Sequence, residues 1–136
     1  LYAKRYWGHA KEYVEGMWRI VQNDIGDDFV LATGRTETVR RFVELAFSYV
    51  GIDIKWQGEG ISEVGCDKKT GDILVKIDPK YFRPTEVDML IGDASKAKKL
   101  LGWEAKISLE DLVSEMVHVA VHNASQPEAN MIMAEF

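Results

Sequence analysis

Phe29-Val30-Leu31-Ala32-Thr33 is a continuous apolar run closed by a threonine, with Asp27-Asp28 before it and Gly34 after it. A strand with one wet face alternates apolar and polar residues, so a short run without alternation predicts a strand covered on both faces, as in a parallel sheet. Upstream, from Ala10, the apolar residues Tyr13, Val14, Met17, Trp18 and Val21 recur at helical spacing and predict a helix with one face that must pack on something. Asn23 to Asp28 supplies the turn chemistry that stops it. Downstream, a second helix is expected from about Thr38, with Val39, Phe42, Val43, Ala46, Phe47 and Val50 on its apolar face and Gly51 as the residue that ends it. A helix followed by a fully buried strand is half of an α/β unit, and the fold class expected is mixed α/β.

Past Gly51 the texture changes. Ile52, Ile54 and Trp56 alternate with Asp53 and Lys55, predicting a half-exposed strand, and Ile73 to Ile77 predicts another after the turn Lys68-Lys69-Thr70-Gly71-Asp72. A short helix containing Ala97, Leu100 and Leu101 is expected, capped by Asp93 or Ser95 and closed by Gly102. The last helix carries the best start signal in the chain, with Ser108 as N-cap, Asp111 three residues on, and Ile107 placed to staple onto Leu112. Its buried face is expected to hold Leu109, Leu112, Val113, Met116, Val117, Ala120 and Val121. From Ser125 the composition predicts a loose tail.

A chain of 136 residues, 46% hydrophobic and 29% charged, is long enough for one domain with a real core. A net charge of -5 argues against a general nucleic-acid binder, so an anionic ligand must be held by local cations. No apolar run approaches the roughly 20 residues of a membrane span, and no secretory leader pattern opens the chain. Cys66 is the only cysteine, which leaves no disulfide framework and no cysteine-based zinc site, and a cytoplasmic protein is expected. The first residue is Leu1 rather than methionine, and the chain reads as a piece of a longer protein.

Two cationic features are candidates for anion binding. In Tyr81-Phe82-Arg83-Pro84-Thr85-Glu86-Val87-Asp88, Pro84 keeps Arg83 out of the helical region, so a guanidinium that can grip phosphate bidentately sits on stiff, extended backbone. Glu86 can only accept, which suits sugar hydroxyls. Taken alone, Arg83 and Glu86 fit equally well an ordinary surface turn, where they pair with each other or with water. Lys4-Arg5, ahead of the first helix, is the second feature, and its plain reading is a solvated basic pair. His9, beside a helix start, reads as structural, and His118 with His122 has the i, i+4 spacing of metal ligands but no third ligand and no glutamate between them of the zinc-protease kind. No Gly-x-Gly-x-x-Gly follows a strand, Gly58-Glu59-Gly60 lacks the third glycine, and no tyrosine is followed by lysine four residues on. No complete catalytic apparatus is present in this chain.

Several blocks, in order, carry a resemblance: Ala3-Lys4-Arg5-x-Trp7-Gly8-His9-Ala10-Lys11-x-Tyr13-Val14-Glu15-x-Met17-Trp18, then Phe29-Val30-x-Ala32-Thr33-Gly34, then Tyr81 to Asp88, then Gly92-Asp93-x-Ser95-Lys96-Ala97-Lys98 with Leu101-Gly102-Trp103. To about Val121 the sequence resembles the C-terminal part of the GDP-mannose 4,6-dehydratase family, extended short-chain dehydrogenases/reductases of the nucleotide-sugar epimerase and dehydratase type. Arg-Pro-Thr-Glu-Val-Asp is specific to the dehydratases, whereas Asp-x-Ser-Lys and Leu-Gly-Trp are shared with epimerases.

The resemblance implies that residues 1–51 end a Rossmann-type dinucleotide-binding domain, 52–122 form a smaller α+β substrate domain, and 123–136 form a tail. It implies GDP-mannose as substrate, NADP held mainly by a part of the enzyme absent here, catalytic Thr, Glu, Tyr and Lys in that same part, and dimers or tetramers. Arg5 and Arg83 match arginines that approach the nucleotide-sugar diphosphate in related enzymes, and Glu86 matches a substrate-contacting acid. Tyr6 is a departure, since the family usually has aspartate there. Other readings are another nucleotide-sugar epimerase or dehydratase, or a non-catalytic binding module. Helices from such a portion are expected to leave apolar faces bare where the rest of the sheet would pack.

Overall fold

Local signals set most of the helices in the computed structural model, which describes residues 1–82 and 91–125. Helix α1, Ala10–Val21, starts at His9, whose Nδ1 accepts the Lys11 amide at 3.1 Å. Helix α2, Val39–Tyr49, starts at Thr38, whose hydroxyl oxygen accepts the Arg41 amide at 3.0 Å. Helix α3, Ser95–Leu101, has the Asp93 carboxylate accepting the Ser95 amide, and it closes on Gly102 at φ +63°, a conformation that suits glycine. Helix α4, Leu109–Ala124, begins as expected, with the Ser108 hydroxyl oxygen accepting the Asp111 amide at 3.0 Å and the hydroxyl donating to the Asp111 carboxylate.

The strands form two small antiparallel sheets. In one, β1 (Lys4–Arg5) pairs with β2 (Glu37–Thr38), setting Lys4 opposite Thr38 and Arg5 opposite Glu37. In the other, β3 (Ile54–Gln57), β4 (Val64–Asp67) and β5 (Ile73–Lys76) run in sequence order, with a register irregularity at Gly65/Cys66. The central strand β4 was not expected from the sequence. Val64-Gly65-Cys66-Asp67 has little β propensity of its own, but Gly65 lets Trp56 and Val75 close over it, since a Cβ there would stand 3.0 Å from the indole.

The packed centre lies where α1, α3 and the chain after α3 meet. Ala97 and Trp103 are buried, and the Trp103 indole donates to the Glu12 carbonyl at 2.7 Å while its ring meets Tyr13 edge-on. Gly16 admits this contact, because a Cβ there would come within 2.9 Å of the Trp103 Nε1. Helix α4 packs against α2, with Val113 fully buried, while Met116 and Val121 of its expected inner face are half exposed.

Two expectations are corrected. Phe29 to Thr33 is not a strand covered on both faces: among the described residues no strand pairs with it, and Val30 is 51% exposed. A parallel strand exists only through neighbouring strands, and among the described residues none lies beside the segment; Leu31 packs toward Gly16 of α1, and Val30 and Ala32 toward Gly92. The inward side of α1 is also different from the apolar stripe. Glu12, Tyr13, Gly16, Arg19 and Ile20 face the protein, while Val14, Met17, Trp18 and Val21 are 62%, 57%, 62% and 78% exposed. The polar members bond inward, with Arg19 Nη1 donating to the carbonyls of Leu101 and Gly102 at the end of α3 and Glu12 Oε1 accepting the amides of Lys106 and Ile107, while Glu12 Oε2 is buried without a hydrogen-bond partner. Bare apolar faces are thus present, as expected.

Candidate functional site

Arg5 stands on the exposed face of the short β1 strand, with its Nη1 donating to the Lys4 carbonyl at 2.9 Å. Backbone bonds continue the β1–β2 contact: the amides of Val39 and Arg40 donate to the carbonyls of Ala3 and Leu1. On the other side of Arg5, the Trp7 indole donates to the Glu37 carbonyl at 3.1 Å and stacks on Phe42 at 4.4 Å between ring centroids. The strand that aims Arg5 is therefore laid against the start of α2 along its whole length.

Next to it, Tyr6 takes part in a second junction. Its hydroxyl oxygen accepts the Gly92 amide at 2.7 Å, and Gly92 must be a glycine or something must move, because a Cβ would stand 2.8 Å from the Ala32 Cβ. The segment with Arg83 and Glu86 thus ends, at Ile91-Gly92, against the neighbour of Arg5; Arg83 and Glu86 themselves lie outside the described residues. A cavity of about 590 Å³ opens here, lined by Tyr6, Gly8, Tyr13, Val30, Leu31 and Gly92 among others. Burial, and after it the neighbouring Glu12 carboxylate, hold the Tyr13 phenol above its ordinary pKa, with a backbone hydrogen bond at Thr33 acting the other way. Tyr13 is a neutral wall of that cavity at physiological pH.

His9 uses both ring nitrogens, Nδ1 as the cap of α1 and Nε2 at 3.1 Å from the Glu115 carboxylate, which fits its structural reading. His118 and His122 lie at exposed positions of α4, and no group of three or more His, Cys, Asp or Glu able to hold a metal occurs among the described residues.

One cluster was not anticipated. The Arg40 guanidinium lies over the rings of Tyr2 and Trp56, at 4.7 and 4.6 Å from their centroids, and pairs with the Glu63 carboxylate, which is 3% exposed. Arg40 Nη2 also bonds the Tyr2 hydroxyl at 2.7 Å, and the Trp56 indole donates to Glu44 at 2.9 Å. The four residues come from the chain start, α2, β3 and the turn before β4, so no local sequence signal could have joined them.

A family model described as GDP-mannose 4,6 dehydratase matches residues 1–116. The GDP-mannose 4,6-dehydratase of Sinorhizobium fredii (strain HH103) is 57% identical over 115 residues, covering 85% of this chain and 33% of that protein. The GDP-mannose 4,6 dehydratase of Homo sapiens is 53% identical over 119 residues, covering 88% and 32%. The chain spans about a third of the length of the curated relatives it matches. Among solved structures, UDP-glucose 4-epimerase from Bifidobacterium longum in complex with NAD+ and UDP has a similar fold, with a TM-score of 0.57 at 19% identity over 90% of this chain and 31% of that one.

Proposed function

This chain belongs to the GDP-mannose 4,6-dehydratase family, and we propose that it is the C-terminal portion of an enzyme that converts GDP-mannose to GDP-4-keto-6-deoxymannose with loss of water. The observation that carries the reading is the identity of more than half of the residues with a named dehydratase over 85% of the chain. In this reading residues 1–51 complete the dinucleotide-binding domain, 52–122 form the nucleotide-sugar domain, and 123–136 form a tail. The whole enzyme is a cytoplasmic homo-oligomer, a dimer or a tetramer. Among the described residues no helix is long and apolar enough to cross a membrane.

The sequence holds neither a glycine-rich dinucleotide turn nor a Tyr-x-x-x-Lys pair, so the proposal assigns NADP and the proton-transfer groups to the remainder of the enzyme. Bound NADP supplies the hydride exchange of the internal redox cycle. What falls to this chain is binding and aim. Arg5 and Arg83 clamp the diphosphate, and Glu86 accepts hydrogen bonds from sugar hydroxyls. Binding energy gathered at the diphosphate, remote from the reacting carbons, holds the mannose in register for chemistry elsewhere. The exposed placement of Arg5 supports this role, as does the bond from Gly92, which follows the stretch with Arg83 in the sequence, to Tyr6.

Titration of GDP-mannose and free GDP against the full-length enzyme tests the assignment. Each charge-assisted arginine contact is worth about 1.5–3 kcal/mol, so Arg5→Ala or Arg83→Ala lowers affinity for both ligands roughly ten- to a hundredfold. NADP binding is unchanged, and Arg83→Lys recovers only part of the loss. Glu86→Gln weakens selection among sugar nucleotides instead. An arginine variant that binds both ligands like wild type removes that arginine from the site.

A further inference from the structure

The β1–β2 pairing spans two residues on each strand, and so short a two-stranded ribbon is marginal in water on its own. The backbone bonds from Val39 and Arg40 to Ala3 and Leu1 and the Trp7 contacts with Glu37 and Phe42 extend it on either side. The structure supplies a side-chain fastener three residues before Arg5. The Arg40 guanidinium packs on the rings of Tyr2 and Trp56, and the buried Glu63 carboxylate pairs with its Nη2. Arg40 Nε is buried without a hydrogen-bond partner, so the guanidinium is held by its Nη2 and by the two rings it packs on rather than by a full set of donors. This links the chain start to α2 through Arg40, to β3 through Trp56, and to the turn leading into β4 through Glu63.

We propose that Tyr2, Arg40, Trp56 and Glu63 are positioning residues for nucleotide-sugar recognition, fixing the Arg5-bearing strand against the β3–β4 layer so that Arg5 meets the diphosphate at a set angle. The inference rests on the reading of Arg5 as a diphosphate ligand. Along an extended strand Tyr2 lies roughly 10 Å from Arg5, too far to share a phosphate, so the cluster acts through Arg5. It also separates two uses of arginine in one short region. Arg40 packs on two aromatic rings and pairs with a carboxylate, whereas Arg5 stands on exposed strand.

The test is a double-mutant cycle in the full-length enzyme, read by titration with GDP and GDP-mannose. Tyr2 is 67% exposed, so Tyr2→Ala removes one ring of the fastener without emptying the core. GDP and GDP-mannose affinity falls roughly three- to tenfold, NADP affinity is unchanged, and in an Arg5→Ala background Tyr2→Ala has no further effect. Arg40→Met alone would strand the Glu63 carboxylate in a buried site, so its partner variant is Arg40→Met with Glu63→Gln, which removes both charges and shows the same loss and the same dependence on Arg5. The proposal is overturned if Tyr2→Ala is silent, if it lowers NADP affinity equally, or if it costs the same factor with and without Arg5. A silent Arg5→Ala overturns the reading of Arg5, and the positioning proposal falls with it; a damaging Arg5→Ala with an additive Tyr2→Ala overturns the positioning proposal alone.

Discussion

The bare stripe of α1 should make the 136-residue chain self-associate when it is produced by itself. Val14, Met17, Trp18 and Val21 follow helical spacing and keep between 57% and 78% of their surface in water. Full burial of such a side chain is worth about 1.5–3 kcal/mol, so the exposed share leaves roughly 1–2 kcal/mol to gain at each, or about 4–8 kcal/mol per face. Two faces packed together gain about 8–16 kcal/mol against an association cost of about 4–15 kcal/mol. At its favourable end the balance reaches about 12 kcal/mol, and about 8 kcal/mol is enough for a micromolar dissociation constant. Sedimentation equilibrium across micromolar concentrations should show dimers or larger species, and Met17→Glu with Val21→Lys should return a monomer with little change in thermal midpoint. The same pair of substitutions should destabilise the full-length enzyme if, as proposed, the dinucleotide-binding domain packs on this face. A wild-type chain that stays monomeric at 100 times its lowest concentration, or a double variant that associates as before, would refute the reasoning.

Trp103→Phe should cost the isolated fold about 2 kcal/mol in denaturant melts, because it removes the indole bond to the Glu12 carbonyl and leaves space beside Ala97. In acid the chain should lose stability in a window set by its capping and paired carboxylates. Asp93 is held below its ordinary pKa first by the Ser95 amide and then by the Ser95 hydroxyl, and Asp27 and Glu104 are held low first by hydrogen bonds to Lys96 and Lys98. A depressed folded-state pKa means stabilisation that is present above the unfolded value, about 4, and lost as pH falls through the folded one, so Asp93→Asn should flatten that part of an acid melt. A midpoint in Asp93→Asn with the wild-type pH dependence would remove Asp93 from the account.

Local chemistry was enough to place the features whose causes lie within a few residues. The Ser108-Asp111 start of α4, the Gly102 end of α3, the Thr38 start of α2 and the Lys68–Asp72 turn are each made by neighbours in the chain, and each was legible before any coordinates. The resemblance blocks were legible as sequence, whereas local chemistry alone favoured a solvated pair for Lys4-Arg5 and only the resemblance made Arg5 a candidate diphosphate ligand. Four matters depended on partners distant in the chain. Phe29 to Thr33 has the composition of a buried strand but no strand beside it among the described residues, and β4 becomes a strand only because β3 and β5 flank it. The buried side of α1 went to Glu12, Gly16 and Arg19, since Trp103 bonds the Glu12 carbonyl, the end of α3 accepts from Arg19, and the indole needs the space at Gly16. Arg40 met Glu63, Tyr2 and Trp56 across separations that periodicity does not encode. Propensity and capping act over one turn, whereas pairing, burial and ion-pair choice follow from which surfaces the folded chain brings together.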